Sequence, residues 1–421
     1  MRGAQLDRLS GHPRHASLTL GGLAALALVS ASALAGPPRV GERFSVRIQD
    51  LPPPYATASV ANGPRRIPLP PGTVPAVPEG FRADRFAAGL VHARWLAVAP
   101  DGAVMVAEPR AGRITRLVDG DGDGRAETRS IYASGFALPH GMAFHAGYLY
   151  VADTERVWRL PYRPGETRAA SPAEPVTEAG VFGPPGGHWT RNLAFAPSGE
   201  RFYVAVGSAA NLAEEAPPRA TVQVFAADGS AQRTFASGLR NPVGIAFRPG
   251  TDDPYVVVNE RDGLGDRLVP DYLTRLREGA FYGWPYAYLG SHPQPGLADR
   301  RPDLVAGAVV PDLLFRAHSA PLGLVFYDGT MFPPAYRGDA FVALHGSWNA
   351  AEPQGYMVAR VRFRDGRPVG SYEAFATGFW VSGGRRARVW GRPVGLAVAA
   401  DGALLVADDV ANVVWRIAAE P

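Results

Sequence analysis

The chain has 421 residues and a formal net charge of +4, and it contains neither cysteine nor lysine. Those two gaps in the composition exclude disulfides, thiolate metal sites, a catalytic thiol, covalently attached c-type haem and Schiff-base chemistry. The positive charge is spread along the chain and forms no clustered basic stripe, so we expect no nucleic-acid partner.

The first 35 residues have the pattern of an export signal. Three arginines, the last at position 14, precede an apolar stretch from Leu18 to Leu34. Ala33-Leu34-Ala35 ahead of Gly36 is a small-x-small cleavage site. The stretch is marginal as a membrane span, so an uncleaved anchor is the alternative. We therefore predict a periplasmic or secreted protein with no stable membrane span after cleavage.

Residues 36–80 form a proline-rich segment, which we predict to be an extended leader. The rest of the chain, residues 81–421, repeats one pattern six times. In the clearest copies an apolar-Ala-apolar group leads into a turn of Pro, Asp or Gly, and Val-Ala with an acidic residue follows. Each copy predicts a hairpin of two short strands. The six copies span residues 96–108, 142–153, 193–207, 245–260, 324–345 and 396–408.

Six hairpin units predict an all-β protein with the fold of a six-bladed β-propeller. A single hairpin cannot bury its apolar face, whereas a closed ring of stacked blades buries all of them. The 49 glycines and 40 prolines suit many tight turns. Two wide spacings between copies predict insertions at about 261–317 and 346–390. Tyr272 to Glu278, the best helical pattern, is predicted to be a strand with a turn.

The segment from 117 to 128 contains three aspartates at alternating positions, Asp119, Asp121 and Asp123, as an EF-hand loop does. The twelfth residue counted from Asp119 is Ser130, where an EF-hand requires Glu, and no flanking helices are evident. We predict a solvated acidic turn between strands, with calcium binding as the alternative.

The repeats also gather polar residues. In a propeller blade, the loop that leads into the first strand and the loop that leaves the second strand lie on the same face. Guanidinium groups match carboxylates bidentately, and carboxylates or carbonyls suit calcium. The pattern predicts a site for an anionic planar ligand or a metal, with structural salt bridges between blades as the alternative for any single pair. The residues at these positions are Arg94, His140, His188, Arg191, Arg240, Asn241, His318, Ser319, Arg392, Glu108, Asp153, Gly207, Ser208, Glu260, Arg261, Asp262, His345, Asp408 and Asp409.

Several longer segments carry a family resemblance. They are GGHWTRNLAFAPSGERFYVAVGSAAN, ASGLRNPVGIAF, VVVNERDGLGD, FYGWPY, FVALHGSWN and WGRPVGLAVAADGALLVADD. In this order and at these blade positions they resemble the pyrroloquinoline-quinone (PQQ) dependent sugar dehydrogenases, in particular the L-sorbosone dehydrogenase-like branch. The likeness extends from about Gly80 to Ile417.

The resemblance implies roles for individual residues. His188 matches the catalytic base, which takes the proton of the substrate hydroxyl while a hydride passes to the quinone; a neutral imidazole suits that role. Arg240 and Asn241 match the pair that contacts the cofactor near its reactive carbonyl, where Arg240 would stabilise the developing negative charge. Arg392 matches an arginine that binds the cofactor's carboxylates from the last blade.

The resemblance also implies a calcium site. The loop Glu260-Arg261-Asp262-Gly263 matches the segment where the family binds Ca²⁺, largely through main-chain carbonyls, and the ion polarises the quinone. We expect Glu260, Asp262 and Gly263 to hold the metal and Arg261 to contact the cofactor.

The sequence departs from the glucose dehydrogenase branch at three positions. His345, also expected to contact the cofactor, stands where that branch has a lysine. Ser208 stands where it has an aspartate beside the catalytic histidine, and Trp390 where it has a second arginine. These differences follow the sorbosone-like branch, so they weaken the glucose assignment more than the cofactor assignment.

We therefore predict an exported quinoprotein dehydrogenase that oxidises a sugar or a sugar-derived aldehyde or lactol with PQQ and Ca²⁺. Because the chain has no haem site, electrons would pass to an external acceptor, a cytochrome or a membrane quinone. Aromatic residues in the insertions are candidates for sugar stacking or for core packing. They are Tyr282, Trp284, Tyr286 and Trp348.

Two other functions stay open. The first is a calcium-dependent lactonase, for which four residues occupy comparable positions, although the arginines argue against it. The second is a non-catalytic propeller that binds glycans or a protein. The four candidate lactonase ligands are Glu108, Asp153, Asn241 and Asp409.

Overall fold

The computed structural model describes residues 36–420, and this part of the chain is nearly all β-structure. The export signal predicted for residues 1–35 lies outside the described residues. The α-helix Pro302–Gly307 lies in the first predicted insertion. Within residues 36–420, no helix is both long enough and apolar enough to cross a membrane. Short 3₁₀ turns occupy Ile48–Asp50, Pro109–Ala111, Ala298–Arg300 and Pro334–Tyr336.

Six antiparallel sheets of four or five strands follow one another along the chain, and we number them 1 to 6. The six predicted hairpins are confirmed, since each forms the first two strands of one sheet. In order, these pairs are Trp95–Val98 with Val104–Glu108, Met142–His145 with Tyr148–Ala152, Arg191–Phe195 with Arg201–Val206, Asn241–Phe247 with Pro254–Asn259, Pro321–Phe326 with Ala340–Leu344, and Pro393–Val398 with Leu404–Asp408.

The outer strands complete the sheets in the same order. The strand predicted from Tyr272 is confirmed and is the third strand of sheet 4. The outer strands are Arg113–Val118 and Thr128–Ser134, Val157–Pro161 and Glu174–Pro175, Thr221–Ala226 and Arg233–Ser237, Tyr272–Arg275 and Leu313–Leu314, Met357–Arg364 and Arg367–Ala376, and Val413–Ala419 with Phe81–Ala87.

The first strands of the six sheets contact one another in a cycle, in which each contacts the next and that of sheet 6 contacts that of sheet 1. Phe81–Ala87 pairs with Val413–Ala419, so the outermost strand of sheet 6 comes from the N-terminal side of all six hairpins. The loops that lead into the first strands therefore meet at one end of the cycle, where the second strands end. We call this end the convergent end.

Buried apolar side chains fill the space between neighbouring sheets. Between sheets 3 and 4, for example, Tyr203 and Val222 pack with Ile245 and Val258. The first strands approach closely enough to need glycine: a Cβ on Gly244 would lie 2.5 Å from the main-chain oxygen of Leu322 in the next sheet. Close packing at the centre thus fixes where each first strand begins, and with it the residues at the convergent end.

Residues 36–80, predicted to be an extended leader, lie along the sheets. Arg43–Phe44 pairs with Arg367–Ala376 and gives sheet 5 its fifth strand. Arg65–Arg66 pairs in parallel with Arg388–Val389, which in turn pairs with Trp380–Ser382. This segment therefore contributes strands to the folded body.

The two predicted insertions contain more regular structure than their spacing suggested. The insertion at 261–317 contains the outer strands of sheet 4, the α-helix and a small hairpin of Ala287–Tyr288 with His292–Pro293. The insertion at 346–390 contains the two long outer strands of sheet 5. The loops left over border the convergent end.

Candidate active site

Polar residues at the convergent end fall into two groups. The first lines a space of about 160 Å³, which we call the candidate cavity. The second, which we call the Asp409 cluster, consists of His92, Arg94, His345, Arg392 and Asp409. The candidate cavity is lined by His188, Arg240, Asn241, Asn259, Glu260, Asp262, Asp271, His318, Ala320, Trp348 and Asn349.

His188 lies in the loop before the first strand of sheet 3. Its Nδ1 is 2.8 Å from the main-chain oxygen of Ser208 and 3.1 Å from the Ser208 hydroxyl. Because a carbonyl oxygen only accepts hydrogen bonds, Nδ1 carries the proton, and the neutral ring leaves Nε2 as a proton acceptor. Burial, followed by the positive charge of Arg240, lowers the pKa of His188 to about 4. The imidazole is therefore a neutral base at ordinary pH.

Gly207 allows the two loops beside His188 to meet. A Cβ at this position would lie 2.5 Å from Oδ1 of Asn241 and 2.6 Å from Cβ of His188. Any larger residue would displace one of these two side chains. The glycine that ends the second strand of sheet 3 is thus required by the packing of the site itself.

Arg240 joins the cavity wall to a neighbouring loop. Its Nη1 donates to the main-chain oxygens of Glu260 (2.8 Å) and Asn259 (3.3 Å). Its Nε and Nη2 donate to the main-chain oxygen and Oδ1 of Asn211, at 3.1 and 3.0 Å. Its ion-pair partner is Asp262, whose Oδ2 lies 3.9 Å from Nη2. Arg240 is therefore hydrogen-bonded to neutral acceptors, and its charge is compensated only weakly, by a carboxylate at that distance.

Sequence analysis missed Asn211 because the residue lies outside the repeats. Its Oδ1 also accepts the main-chain N–H of Asp262 at 2.8 Å, and its Nδ2 donates to the Asp262 main-chain oxygen at 3.0 Å. The signal for Asn211 in the sequence is its place in the segment GSAAN, which follows the second strand of sheet 3 and ends one of the family motifs.

Two carboxyl groups are buried at the back of the cavity. Burial raises the pKa of Glu260 to about 7 and that of Asp271 to about 6. Asp271 accepts the main-chain N–H groups of Glu260 and Ala320, both at 2.8 Å. Asp271 was also missed in the sequence, since it follows no repeat position.

The loop predicted to bind calcium presents a mixed set of oxygens. The side chains of Glu260 and Asp262 line the cavity, and carboxylates of this kind suit a hard cation. The main-chain oxygens of Glu260 and Asp262, however, accept hydrogen bonds from Arg240 and Arg261. Gly263 does not border the cavity in the described structure. The calcium ligands therefore stay a prediction.

Asp262 has two further neighbours. Asn349 donates to its Oδ1, and Nδ1 of His318 lies 3.4 Å from the same atom. Burial opposes ionisation, but His318 and Arg240 outweigh it and lower the pKa of Asp262. Asp262 is thus an anion at the edge of the cavity, tied to loops from sheets 4 and 5.

Asn241 borders the cavity with an unsatisfied atom. Among the described residues, its Oδ1 is buried without a hydrogen-bond partner. Buried polar atoms normally have partners, so this oxygen suits a donor group of a polar ligand, while the charge of Arg240 suits an anionic group of the same ligand in the cavity. Of the predicted cofactor residues, these two are the ones that line it.

The Asp409 cluster is already paired. Arg94 donates from Nη1 to Asp409 at 2.7 Å, and His345 Nε2 lies 2.9 Å from the other carboxylate oxygen. Arg392 donates to the main-chain oxygens of His345 and Gly346. Burial, and then the charge of Arg392, lowers the pKa of His345 to about 3. His345 and Arg392 thus do not line the cavity. Arg261 does not line it either, and donates to the main-chain oxygen of its neighbour Asp262. The roles of these three residues toward a cofactor stay predictions.

Two segments connect the groups. Trp189 follows His188, and the Arg94 guanidinium lies 5.3 Å from its ring centre. The loop from His345 to Asn349 begins in the Asp409 cluster and ends at the cavity. In the sequence Trp189 lies within a motif of the family, but a tryptophan beside a histidine carries no signal of its own.

Of the four aromatics considered for sugar stacking, Trp348 is the one that lines the cavity, and 54% of its surface is exposed. Tyr282 and Trp284 are buried, with the hydroxyl and the indole N–H donating to main-chain oxygens. Tyr286 donates to Glu214. The first two therefore serve packing, which was the alternative for all four.

The lactonase ligands do not converge on one point. Glu108 accepts hydrogen bonds from Arg113 and Thr115, and Asp153 accepts from turn N–H groups and from Trp158. Each carboxylate is thus satisfied within its own sheet. This arrangement favours structural roles for both residues.

The acidic segment forms the predicted turn between two strands of sheet 1. Its carboxylates accept main-chain N–H groups of the same turn, as Asp119 does from Gly122 and Gly124. Asp119, Asp121, Asp123 and Glu127 each have an oxygen within 4.8 Å of those of the others, and they are the group of three or more possible metal ligands found within residues 36–420. Sequence analysis did not name Glu127. Exposed acidic groups of this kind are common without a metal, so calcium binding there stays the alternative.

Comparison with known proteins gives a consistent picture. The TrAA12-like family model matches residues 75–270 and 303–420. An uncharacterized protein of Borreliella burgdorferi is 30% identical over 235 residues, 55% of this chain and 60% of that protein. A pyrroloquinoline quinone-dependent pyranose dehydrogenase of Coprinopsis cinerea is 27% identical over 333 residues, 68% of this chain and 44% of that protein. The chain thus spans about two to three fifths of the length of these relatives.

Solved structures share the fold. The holo form of the PQQ domain of pyranose dehydrogenase from Coprinopsis cinerea has a TM-score of 0.69 at 23% identity and covers 83% of this chain and 98% of its own. The calcium structure of a Trichoderma reesei family AA12 enzyme gives 0.69 at 20% identity, covering 82% and 97%. The PQQ-bound aldose sugar dehydrogenase of Streptomyces coelicolor gives 0.57 at 17% identity, covering 82% and 99%.

Proposed function

The chain belongs to the TrAA12-like family, and from that premise we propose that it is a PQQ-dependent dehydrogenase that oxidises a sugar, or a sugar-derived aldehyde or lactol, at the candidate cavity. The fold we propose is a six-bladed β-propeller, with sheets 1 to 6 as the blades. The cycle of contacts between first strands supports it, as does the closure of sheet 6 by Phe81–Ala87.

One observation carries the proposal. His188 presents an unprotonated Nε2 beside the guanidinium of Arg240, because the Ser208 main-chain oxygen fixes the proton on Nδ1. A neutral base next to a fixed positive charge is what the oxidation of a hydroxyl group requires.

The residues divide the work as follows. Nε2 of His188 accepts the proton of the substrate hydroxyl, and Arg240 stabilises negative charge that develops on oxygen nearby. PQQ, when bound, would serve as the two-electron acceptor for the hydride that leaves the carbon bearing that hydroxyl. Arg240 would bind an anionic oxygen of the cofactor, and the unpaired Oδ1 of Asn241 would accept a hydrogen bond from a donor group. The exposed ring of Trp348 offers a stacking surface for a sugar at the mouth of the cavity.

Further parts of the proposal rest on the sequence. Ca²⁺ would bind at Glu260, Asp262 and Gly263, with Arg261, His345 and Arg392 contacting the cofactor after their present hydrogen bonds rearrange. The substrate class would follow the sorbosone dehydrogenase-like branch, since the departures at Ser208, His345 and Trp390 weaken the assignment to glucose. The protein is exported to the periplasm or secreted, and electrons pass to an external cytochrome or quinone.

A titration of the purified protein with PQQ and Ca²⁺ tests the proposal. We expect saturable changes in cofactor absorbance, and then reduction of a dye in the presence of sorbosone or an aldose. Titrations with PQQ alone and Ca²⁺ alone separate the two requirements. Arg240→Met should take up PQQ only at a higher cofactor concentration, whereas Arg337→Met, just after the 3₁₀ turn Pro334–Tyr336, should keep the wild-type affinity. No uptake at PQQ and Ca²⁺ concentrations well above micromolar would overturn the proposal. Lactone hydrolysis by the wild type that is retained in Arg240→Met would favour the lactonase.

A further inference from the structure

The chain upstream of the first sheet reaches the candidate cavity. Residues 55–66, which we call the strap, cross from the loop after the second strand of sheet 4 to the segment that follows sheet 5. Tyr55 donates its main-chain N–H to the main-chain oxygen of Leu264 at 2.8 Å, and Arg65–Arg66 pairs with Arg388–Val389. Between these two ends the strap also contacts the loop that carries Trp348.

Asn62 makes the densest set of contacts in the strap. Its main-chain N–H donates to the main-chain oxygen of Trp348 at 2.6 Å. Its side-chain Nδ2 lies 2.9 Å from the main-chain oxygen of Ala350, 3.3 Å from that of Ala351 and 2.6 Å from that of Arg385. One half-buried side chain thus joins the loop that carries Trp348 to a second loop more than thirty residues further along the chain.

Thr57 fastens the other side of the mouth. Its Oγ1 accepts the main-chain N–H of Asp266 at 2.8 Å, and the Asp266 carboxylate accepts the main-chain N–H of Ala351 at 2.6 Å. Asn349 bonds to Asp262 across the same gap. The strap and the two loops therefore form one hydrogen-bonded unit around the cavity mouth.

From these contacts we infer that Asn62 is a positioning residue, which holds Trp348 at the cavity mouth as a preformed platform for a sugar ring. This inference rests on the function proposed above. Trp348, with 54% of its surface exposed, has little packing to fix its ring, so the position of the ring depends on the main chain beneath it. A platform that is ordered before the substrate arrives avoids the entropy cost of ordering it on binding.

Kinetics of Asn62→Ala test the inference. We expect the KM for the sugar to rise about tenfold, while kcat and PQQ uptake stay within about twofold, because the chemistry at His188 is untouched. In a Trp348→Ala background, the same change should raise KM no further, since the platform that Asn62 holds is already absent. Equal, additive effects in both backgrounds would overturn the inference.

A second readout needs neither cofactor nor substrate. Trypsin cleaves at the carbonyl of arginine, and the Arg385 carbonyl is the one that accepts from Asn62 at 2.6 Å. Asn62→Ala should therefore be cleaved after Arg385 several-fold faster than the wild type. Ser45→Ala, on the same upstream segment but bonded to Gly370, is the matched control and should be cleaved at the wild-type rate.

Thr57→Val supplies a variant of an exposed residue in case Asn62→Ala fails to fold. It should show the same split, with a raised KM and an unchanged kcat. Wild-type KM in both variants, together with a wild-type cleavage rate in Asn62→Ala, would overturn the inference. If the wild type oxidises no sugar, the proposed function fails, while the cleavage rate of Asn62→Ala still decides whether Asn62 holds the loop at Arg385.

Discussion

The candidate cavity and the Asp409 cluster each place a histidine beside an arginine at the convergent end, yet they leave the two imidazoles in different states. His188 is bonded through Nδ1 to a neutral carbonyl, and its Nε2 faces the cavity. His345 uses Nε2 itself to contact the Asp409 carboxylate at 2.9 Å. Burial lowers both pKa values, to about 4 and about 3, so burial does not distinguish the two.

The partner of each arginine makes the difference. Arg94 is neutralised by Asp409 at 2.7 Å, whereas Arg240 donates its hydrogen bonds to the neutral Asn211 and to main-chain oxygens and lies 3.9 Å from Asp262. A closely paired arginine has little charge left for a ligand, while a weakly paired one attracts an anion. On the proposed function, the chemistry therefore belongs to the cavity, and the pair of Arg94 and Asp409 has a structural role.

Replacing His188 should have the largest effect. His188→Gln keeps a polar side chain but removes the proton-accepting Nε2, so we expect kcat/KM for the sugar to fall about 10³-fold. Steady-state dye reduction with saturating PQQ and Ca²⁺ measures it. His145→Gln is the control, because His145 stacks on Phe195 at the turn side of sheets 2 and 3 and should keep activity within about twofold. A decrease in kcat/KM of less than about tenfold in His188→Gln would contradict the assignment of His188 as the base.

Removing Arg94 should cost stability. Arg94→Met leaves the Asp409 anion buried, since the two side chains are only 7% and 6% exposed. Breaking a buried pair by removing one partner costs roughly 3–5 kcal/mol, and the remaining contacts with His345 and His92 favour a loss of about 3 kcal/mol. Chemical denaturation at pH 7 measures it. Asp409→Asn added to Arg94→Met should recover most of the loss; a loss under about 1 kcal/mol would show that the cluster is not a structural ion pair.

Placing a carboxylate beside Arg240, as Asp409 lies beside Arg94, should weaken cofactor binding. Asn211→Asp places a carboxylate where Oδ1 of Asn211 now accepts from Arg240 at 3.0 Å. The new ion pair would compensate the arginine, so we expect the affinity for PQQ to fall about tenfold, the size of one charge-assisted contact. Absorbance titration measures it, with Asn211→Ser as the control for the lost side-chain amide. Equal affinities in the two variants would show that charge at Arg240 does not govern binding.

Much of this comparison could be anticipated from the sequence. The repeats located all six hairpins, and hence His188, Arg240 and Asp409, because strand periodicity and turn residues are local signals. Asn211, Asp271 and Asn62 lie outside the repeats, and their partners are distant in sequence. The pairing of His345 with Asp409 joins two residues that are 64 positions apart in the sequence. Local patterns place residues at the convergent end but do not tell which of them neutralise one another.

The pH dependence should show the smallest effect and the most direct link to the comparison. Since the pKa of His188 is about 4, the base stays unprotonated down to that pH, and the acid limb of kcat/KM should lie near pH 4 instead of near the usual 6.5. The charge of Arg240 is the second cause of the lowering after burial, so Arg240→Met should move the limb upward while leaving it below 6.5. The residual activity of that variant, followed against pH at high cofactor concentration, measures the shift. Arg94→Met should leave the acid limb in place, because Arg94 is not among the groups that shift the pKa of His188. An acid limb that moved equally in both variants would mean that Arg94 and Arg240 act on His188 through one electrostatic field.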